Sequence, residues 1–145
     1  MASSPTAQKP PAERPLPSLK EHDTAPFWCA TQQRRLTYQV CSDCETVVWH
    51  PRAHCTACLG SALAWRTSEG RGAVYSYSVI RQSYHPFFRA RIPFAIAWID
   101  LDEGPRILSN LVGVADPTRD VKIGMRVAVE WEPHEELAIP LFRPA

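Results

Sequence analysis

A chain of 145 residues, 45% apolar and 21% charged, is sized for one ordinary domain or two very small ones. Leu, Ile, Val and Phe number only 32, so the core is modest and a staple or a partner is expected. A net charge of +1 and a pI near 7.7 speak against a dedicated nucleic-acid binder, and no apolar run of about 18 residues exists to cross a membrane.

Residues 1–17 carry five prolines, Pro5, Pro10, Pro11, Pro15 and Pro17, and read as a flexible tail. The N-terminus lacks the charged-then-apolar order of a secretion signal, so a cytoplasmic protein is expected. Residues 18–35 read as a helical arm. Ser18 and Glu21 are spaced as a capping box, and Pro26 suits a first helical turn, which predicts two short helices at 18–23 and 26–33. Phe27 and Trp28 are apolar anchors, onto this fold or onto another chain. Cys29 beside them reads as a buried apolar thiol.

Residues 36–66 read as a metal ribbon. Cys41-Ser-Asp-Cys44 and Cys55-Thr-Ala-Cys58 form two C-x2-C pairs ten residues apart. Two residues between thiolates let one tight turn aim both sulfurs inward, and two facing turns build a tetrahedral cage suited to Zn²⁺. Rubredoxin-like iron and disulfides are the other readings; the missing secretion signal disfavours disulfides. Four cysteines close the coordination sphere, so the metal is expected to be structural. His50 and His54 are not needed as ligands. Arg34, Arg35 or Arg52 could offset the charge of four thiolates. Strand-like Leu36–Val40 and Thr46–Trp49 complete a hairpin.

Residues 67–145 read as strands at 73–80, 94–101, 106–112, 126–131 and 137–142, a mainly β arrangement that predicts a small five-stranded barrel. Pro140 suggests an edge position. Asp100, Asp102 and Glu103 run into a Gly-Pro turn and read as a solvated hairpin tip.

No nucleophile elbow, phosphate loop, zinc-protease or dinucleotide motif is present, and no catalytic residue is assigned. The connection from Arg81 to Arg91 is unusual, because Tyr84, Phe87 and Phe88 stand there beside His85, Arg81, Arg89 and Arg91. Aromatic faces with Arg forks suit a nucleotide-like or CoA-like group, a protein interface, or packing onto the ribbon or the N-terminal helices. Charge is uneven along the chain: residues 31–91 hold eight basic and three acidic groups, residues 92–145 five and nine. Thirteen of the sixteen basic residues are Arg, which suits anion recognition but equally reflects a compositional preference.

Ala25-Pro26-Phe27-Trp28, the two cysteine pairs, Pro51-Arg52, Gly72–Tyr77, Pro93–Gly104, Ser109–Gly113 and Val121–Met125 together resemble the DUF35 family, zinc-ribbon proteins with an OB-fold. The resemblance covers about Pro15 to Phe142. One departure is Leu59, which stands between the last cysteine and Gly60 where members often have Gly directly. The resemblance implies a helical arm, a rubredoxin-like ribbon and an OB barrel over 67–145. It implies an accessory subunit, with acyl-CoA nearby, of thiolase-fold aldolases or thiolases, including those of steroid side-chain breakdown, or of MaoC-type enoyl-CoA hydratases, in a heterotetramer. Phe27, Trp28 and the 81–91 residues are then candidates for partner or acyl-CoA contact. A single-stranded nucleic-acid module and a free-standing acyl-CoA carrier or thioesterase are the other readings.

Overall fold

The computed structural model describes residues 11–145. The expectation of a flexible tail falls partly on residues 1–10, outside that range. Residues 11–18 carry no regular structure, and the helix expected at 18–23 is absent. Turns replace it, one held by the Lys20 amide donating to Ser18 Oγ at 3.1 Å. Six residues with one apolar side chain have no face to bury, and so short a helix does not stand alone.

The arm's one helix, α1, spans Ala25–Gln32, with proline in its first turn as expected. It buries Phe27 and Thr31. The ribbon sheet has the order β2-β1-β3, with β1 Leu36–Cys41, β2 Val47–Val48 and β3 Leu63–Ser68, all antiparallel. Strand β3 was not expected from its pattern, because its middle residues Trp65, Arg66 and Thr67 are all exposed and no two-residue alternation marks it.

The remaining strands close a barrel in the order β4-β5-β6-β8-β7, with β4 Arg71–Ile80, β5 Phe94–Leu101, β6 Arg106–Leu111, β7 Arg126–Pro133 and β8 Ala138–Pro144. Strand β7 returns to β4, and β6 meets β8 in parallel. This is the five-stranded Greek-key barrel of OB folds. Inward residues alternate along β5 (Ala95, Ala97, Ile99, Leu101) and join Val74, Ile107, Leu111, Val127 and Phe142 in one core. A four-residue helix, α2 (Pro86–Arg89), interrupts the β4–β5 connection.

Pro140 does not mark an open edge, since the barrel is closed, but it weakens one seam. It pairs with Trp131 of β7, while β6 and β8 share a single register pair, Leu111 with Phe142. A proline gives no amide to a ladder. The Ser109 hydroxyl donates instead to the Pro140 carbonyl at 2.6 Å.

The ribbon joins the barrel through a tight turn at Glu69-Gly70. Gly70 has φ +72°, and a Cβ there would collide with Val129, so only glycine fits. In the acidic hairpin beside it the Asp100 and Asp102 side chains stay solvated, 44% and 48% exposed, while Glu103 is half-buried. Glu103 accepts from Ser68 Oγ and from the Glu69 amide, both at 2.7 Å, tying ribbon to barrel. Asp100 takes the fork of Arg106, and Asp102 that of Arg126.

Candidate functional site

The two cysteine pairs sit on matching turns. The Cys41 amide donates to Thr46 O and the Glu45 amide to Cys41 O; the Cys55 amide donates to Gly60 O and the Leu59 amide to Cys55 O. Each turn needs a left-handed residue after its second cysteine, and Glu45 (φ 61°) and Leu59 (φ 62°) fill those places. Gly60 lies against the cluster, because a Cβ there would come 3.3 Å from Cys58 Sγ.

The four sulfurs lie within 4.8 Å of one another, with Cys41–Cys58 and Cys44–Cys55 each 3.6 Å apart. Four sulfurs about 2.3 Å from one ion would stand about 3.8 Å apart, so the donor set fits a tetrahedral thiolate centre. Local donors prepare it. Thr46 lies 3.2 Å from Cys44 Sγ and, with its amide, brings that thiol down to about 6. The Ala57 amide points at Cys55 Sγ at 3.4 Å, and the Cys58 and Ala57 amides lower Cys55. At Cys58 the Gly60 amide pulls down, but the neighbouring sulfurs of Cys44 and Cys41 outweigh it and push the thiol up to about 12. Four thiols this close cannot all ionise without a cation among them. Among the described residues, none of the expected Arg counter-charges bonds a sulfur. Arg52 is tied to Gln39 and to the His50 carbonyl instead. Cys29, expected to be buried, is exposed, because α1 turns Phe27 and Thr31 inward and Cys29 away.

A slot of about 220 Å³ opens where arm, ribbon and barrel meet. Trp28, Trp49 and Leu108 form its apolar walls, and Thr24, His50 and Asn110 its polar rim. It lies over the seam that Pro140 weakens. Phe27, an expected contact residue, is 4% exposed and anchors the arm edge-on between Trp28 (4.9 Å) and Trp49 (5.3 Å). Trp28 keeps a face in the slot. Thr31 was not singled out from the sequence, yet its hydroxyl donates to Trp28 O at 2.6 Å and accepts from the Ala138 amide at 3.1 Å, so it locks α1 to β8. The slot runs into an outward barrel face bearing Trp98, 39% exposed, Leu108, 46%, and Ile96. Tyr75, 51% exposed, carries the Arg106 guanidinium on one face, 3.4 Å from its ring centre. The outward Trp and Leu at 98 and 108 were the available signal for this face.

The 81–91 connection is braced largely by its own residues. His85 caps α2, its Nδ1 accepting from the Phe87 amide at 3.2 Å. Arg89 donates to Tyr84 O and Arg91 to Phe87 O, so both forks are turned onto their own loop. Phe87 is buried between two cations, Arg91 at 3.6 Å and Arg14 at 4.9 Å from its ring centre. Phe88 stacks against Phe94. Arg81 and Tyr84 stay exposed. Arg14 also holds Glu132 at 2.6 and 3.2 Å, and His134 shares that carboxylate at 2.8 Å.

Two family models match the chain: "ChsH2, rubredoxin-like zinc ribbon domain" over residues 28–64 and "ChsH2, C-terminal OB-fold domain" over 65–132. A "Probable enoyl-CoA hydratase alpha subunit" from Thermomonospora curvata is 43% identical over 143 residues, 97% of this chain and 43% of that protein. A "3-oxo-4,17-pregnadiene-20-carboxyl-CoA hydratase alpha subunit" from Mycobacterium tuberculosis is 32% identical over 130 residues, 78% of this chain and 38% of that protein. The chain thus spans less than half the length of these two relatives. A solved structure described as "Ltp2-ChsH2(DUF35) aldolase" superposes with a TM-score of 0.76 at 38% identity, covering 90% of this chain and 98% of that one.

Proposed function

The chain belongs to the DUF35 family of ChsH2-type proteins, a rubredoxin-like zinc ribbon followed by an OB-fold, and from that premise we propose that it is a non-catalytic accessory subunit of an acyl-CoA-processing complex. Its partner in this reading is a thiolase-fold aldolase or thiolase, or a MaoC-type hydratase, acting on lipid or steroid side chains. The names of its relatives, two hydratase subunits and an aldolase assembly, support that class of partner.

The observation that carries the reading is the chemistry of the slot. Among the described residues twelve line it, and none of these is a carboxylate, a thiol or a lysine; His50 is the one titratable side chain among them. Such a cleft can hold an apolar group or receive a partner's side chain, but it offers no acid–base pair to transform one. The cysteine centre is equally without a reactive position. We assign it zinc: four thiolates fill the coordination sphere, no site remains for water, and the ion's contribution is folding energy. Exposed Trp98 and Leu108, continuous with the slot, supply the aromatic and apolar surface that protein interfaces favour.

The nucleic-acid reading has less support. The cleft such barrels use lies beside strands β5 and β6, between the β4–β5 and β7–β8 connections. Arg14 occupies it here, and the Arg89 and Arg91 forks are already engaged.

The test is co-purification. The tagged chain, taken from its native cells at low salt, is expected to bring down a thiolase-fold or hydratase enzyme in a fixed ratio. That enzyme should lose solubility or turnover when the chain is deleted. Two chains that behave normally apart would contradict the proposal.

A further inference from the structure

We propose that residues 11–20 form a strap that lies across the barrel's own cleft and swings out as a gate when Arg14 leaves Glu132. This inference does not depend on which enzyme the chain serves. The strap is fastened at one point. Arg14 Nε and Nη2 reach Glu132 at 2.6 and 3.2 Å, and the guanidinium lies 4.9 and 5.3 Å from the ring centres of Phe87 and Phe88. The Arg14 side chain is only 11% exposed. Nothing else in the strap is anchored comparably. None of its residues is fully buried, and among the described residues no backbone hydrogen bond joins it to the barrel.

The space beneath the strap shows that it spans the cleft without packing into it. A hollow of about 390 Å³ separates Leu16–Lys20 from Glu135–Leu137, the turn between β7 and β8. A second hollow, about 170 Å³, lies directly under Arg14 between Phe88, Phe94 and Leu141. That second hollow shares Asn110 with the slot. With the strap out, the second hollow loses its Arg14 cover and becomes an open, mostly apolar groove between Phe88, Phe94 and Leu141. The ion pair is suited to gating, because its loss frees a proline-stiffened segment and leaves the barrel core untouched.

The charged groups around the latch are Arg14 on the strap, Glu132 and His134 on and after β7, and Arg91 after α2. The test uses the full metal-loaded chain, its Arg14→Ala variant and its Glu132→Ala variant, with backbone ¹⁵N relaxation. In the wild type the Leu16, Ser18 and Lys20 amides are expected near the order parameter of rigid backbone, about 0.85. In both variants they should fall below about 0.6, while Ile99 and Val127 amides stay unchanged and certify the fold. Fluorescence of added 1-anilinonaphthalene-8-sulfonate should rise severalfold in both variants as the groove is uncovered. A strap equally ordered with and without Arg14, a strap mobile in the wild type, or a freed strap with no gain in dye binding would each overturn the proposal.

Discussion

Thr31 shows how one side chain carries an inter-element contact. Its buried hydroxyl closes a hydrogen bond within α1 and another to β8. Thr31→Val keeps the shape but leaves the Ala138 amide buried and unpaired, which costs about 1–3 kcal/mol. Urea unfolding of the metal-loaded protein should show a lower midpoint at unchanged slope. Leu59 is the opposite case. It is 75% exposed, buries almost nothing, and holds a left-handed backbone that disfavours side chains by about 1–2 kcal/mol. Leu59→Gly should therefore raise the melting temperature, and an unchanged or lower value would contradict the strain. The departure noted at Leu59-Gly60 in the sequence is thus a local cost in a turn whose ligands are unaffected. The cysteine spacing was legible because sulfur geometry is local. Thr31 was not, because a threonine inside a helix gives no sign of what lies across from it.

At the scale of elements, strands with one dry face were readable. β5 begins and ends where its alternation does, at Phe94 and Leu101. β3 escaped because its middle is exposed, and α2 because four residues carry no period. The aromatics of 84–88 were visible; the cover that Arg14 gives Phe87 and Phe88 was not, since 73 residues separate Arg14 from Phe87 and no local pattern links them. The element contacts also set the response to acid. The bidentate fork of Arg126 holds the Asp102 carboxyl below its usual range. At Glu132 burial pushes upward, but Arg14 and His134 together outweigh it and the carboxyl is lowered. A carboxylate depressed in the folded state contributes fully above its ordinary value, about 4, and loses that contribution as pH falls through the depressed one. Stability should therefore be flat with respect to these two groups near neutrality and decline below about pH 4. In Arg126→Met and Arg14→Ala the decline should be shallower, as read from urea midpoints across pH.

For the whole molecule, a modest barrel core is joined to a ribbon whose own buried cluster is little more than Cys41, Cys55 and Val48 with Leu63 beside them. With so small a core of its own, the ribbon is expected to depend on a metal held by the four cysteines. Elemental analysis should find one zinc per chain, and removal by a chelator under reducing conditions should unfold 36–66 and slacken the slot that Trp49 walls. Cys44→Ser should do the same, seen as loss of the ribbon's dispersed amide signals. A metal-free chain with an intact ribbon would refute that dependence. On the proposed function, this polypeptide shapes and completes a site whose chemistry belongs to another chain. The most direct measurement is acyl-CoA turnover by this protein alone, by its partner enzyme alone, and by the two mixed in equal amounts. No turnover by this chain, weak turnover by the partner and full turnover only in the mixture is the result expected. Turnover by this chain on its own, or a partner indifferent to its presence, would contradict the account.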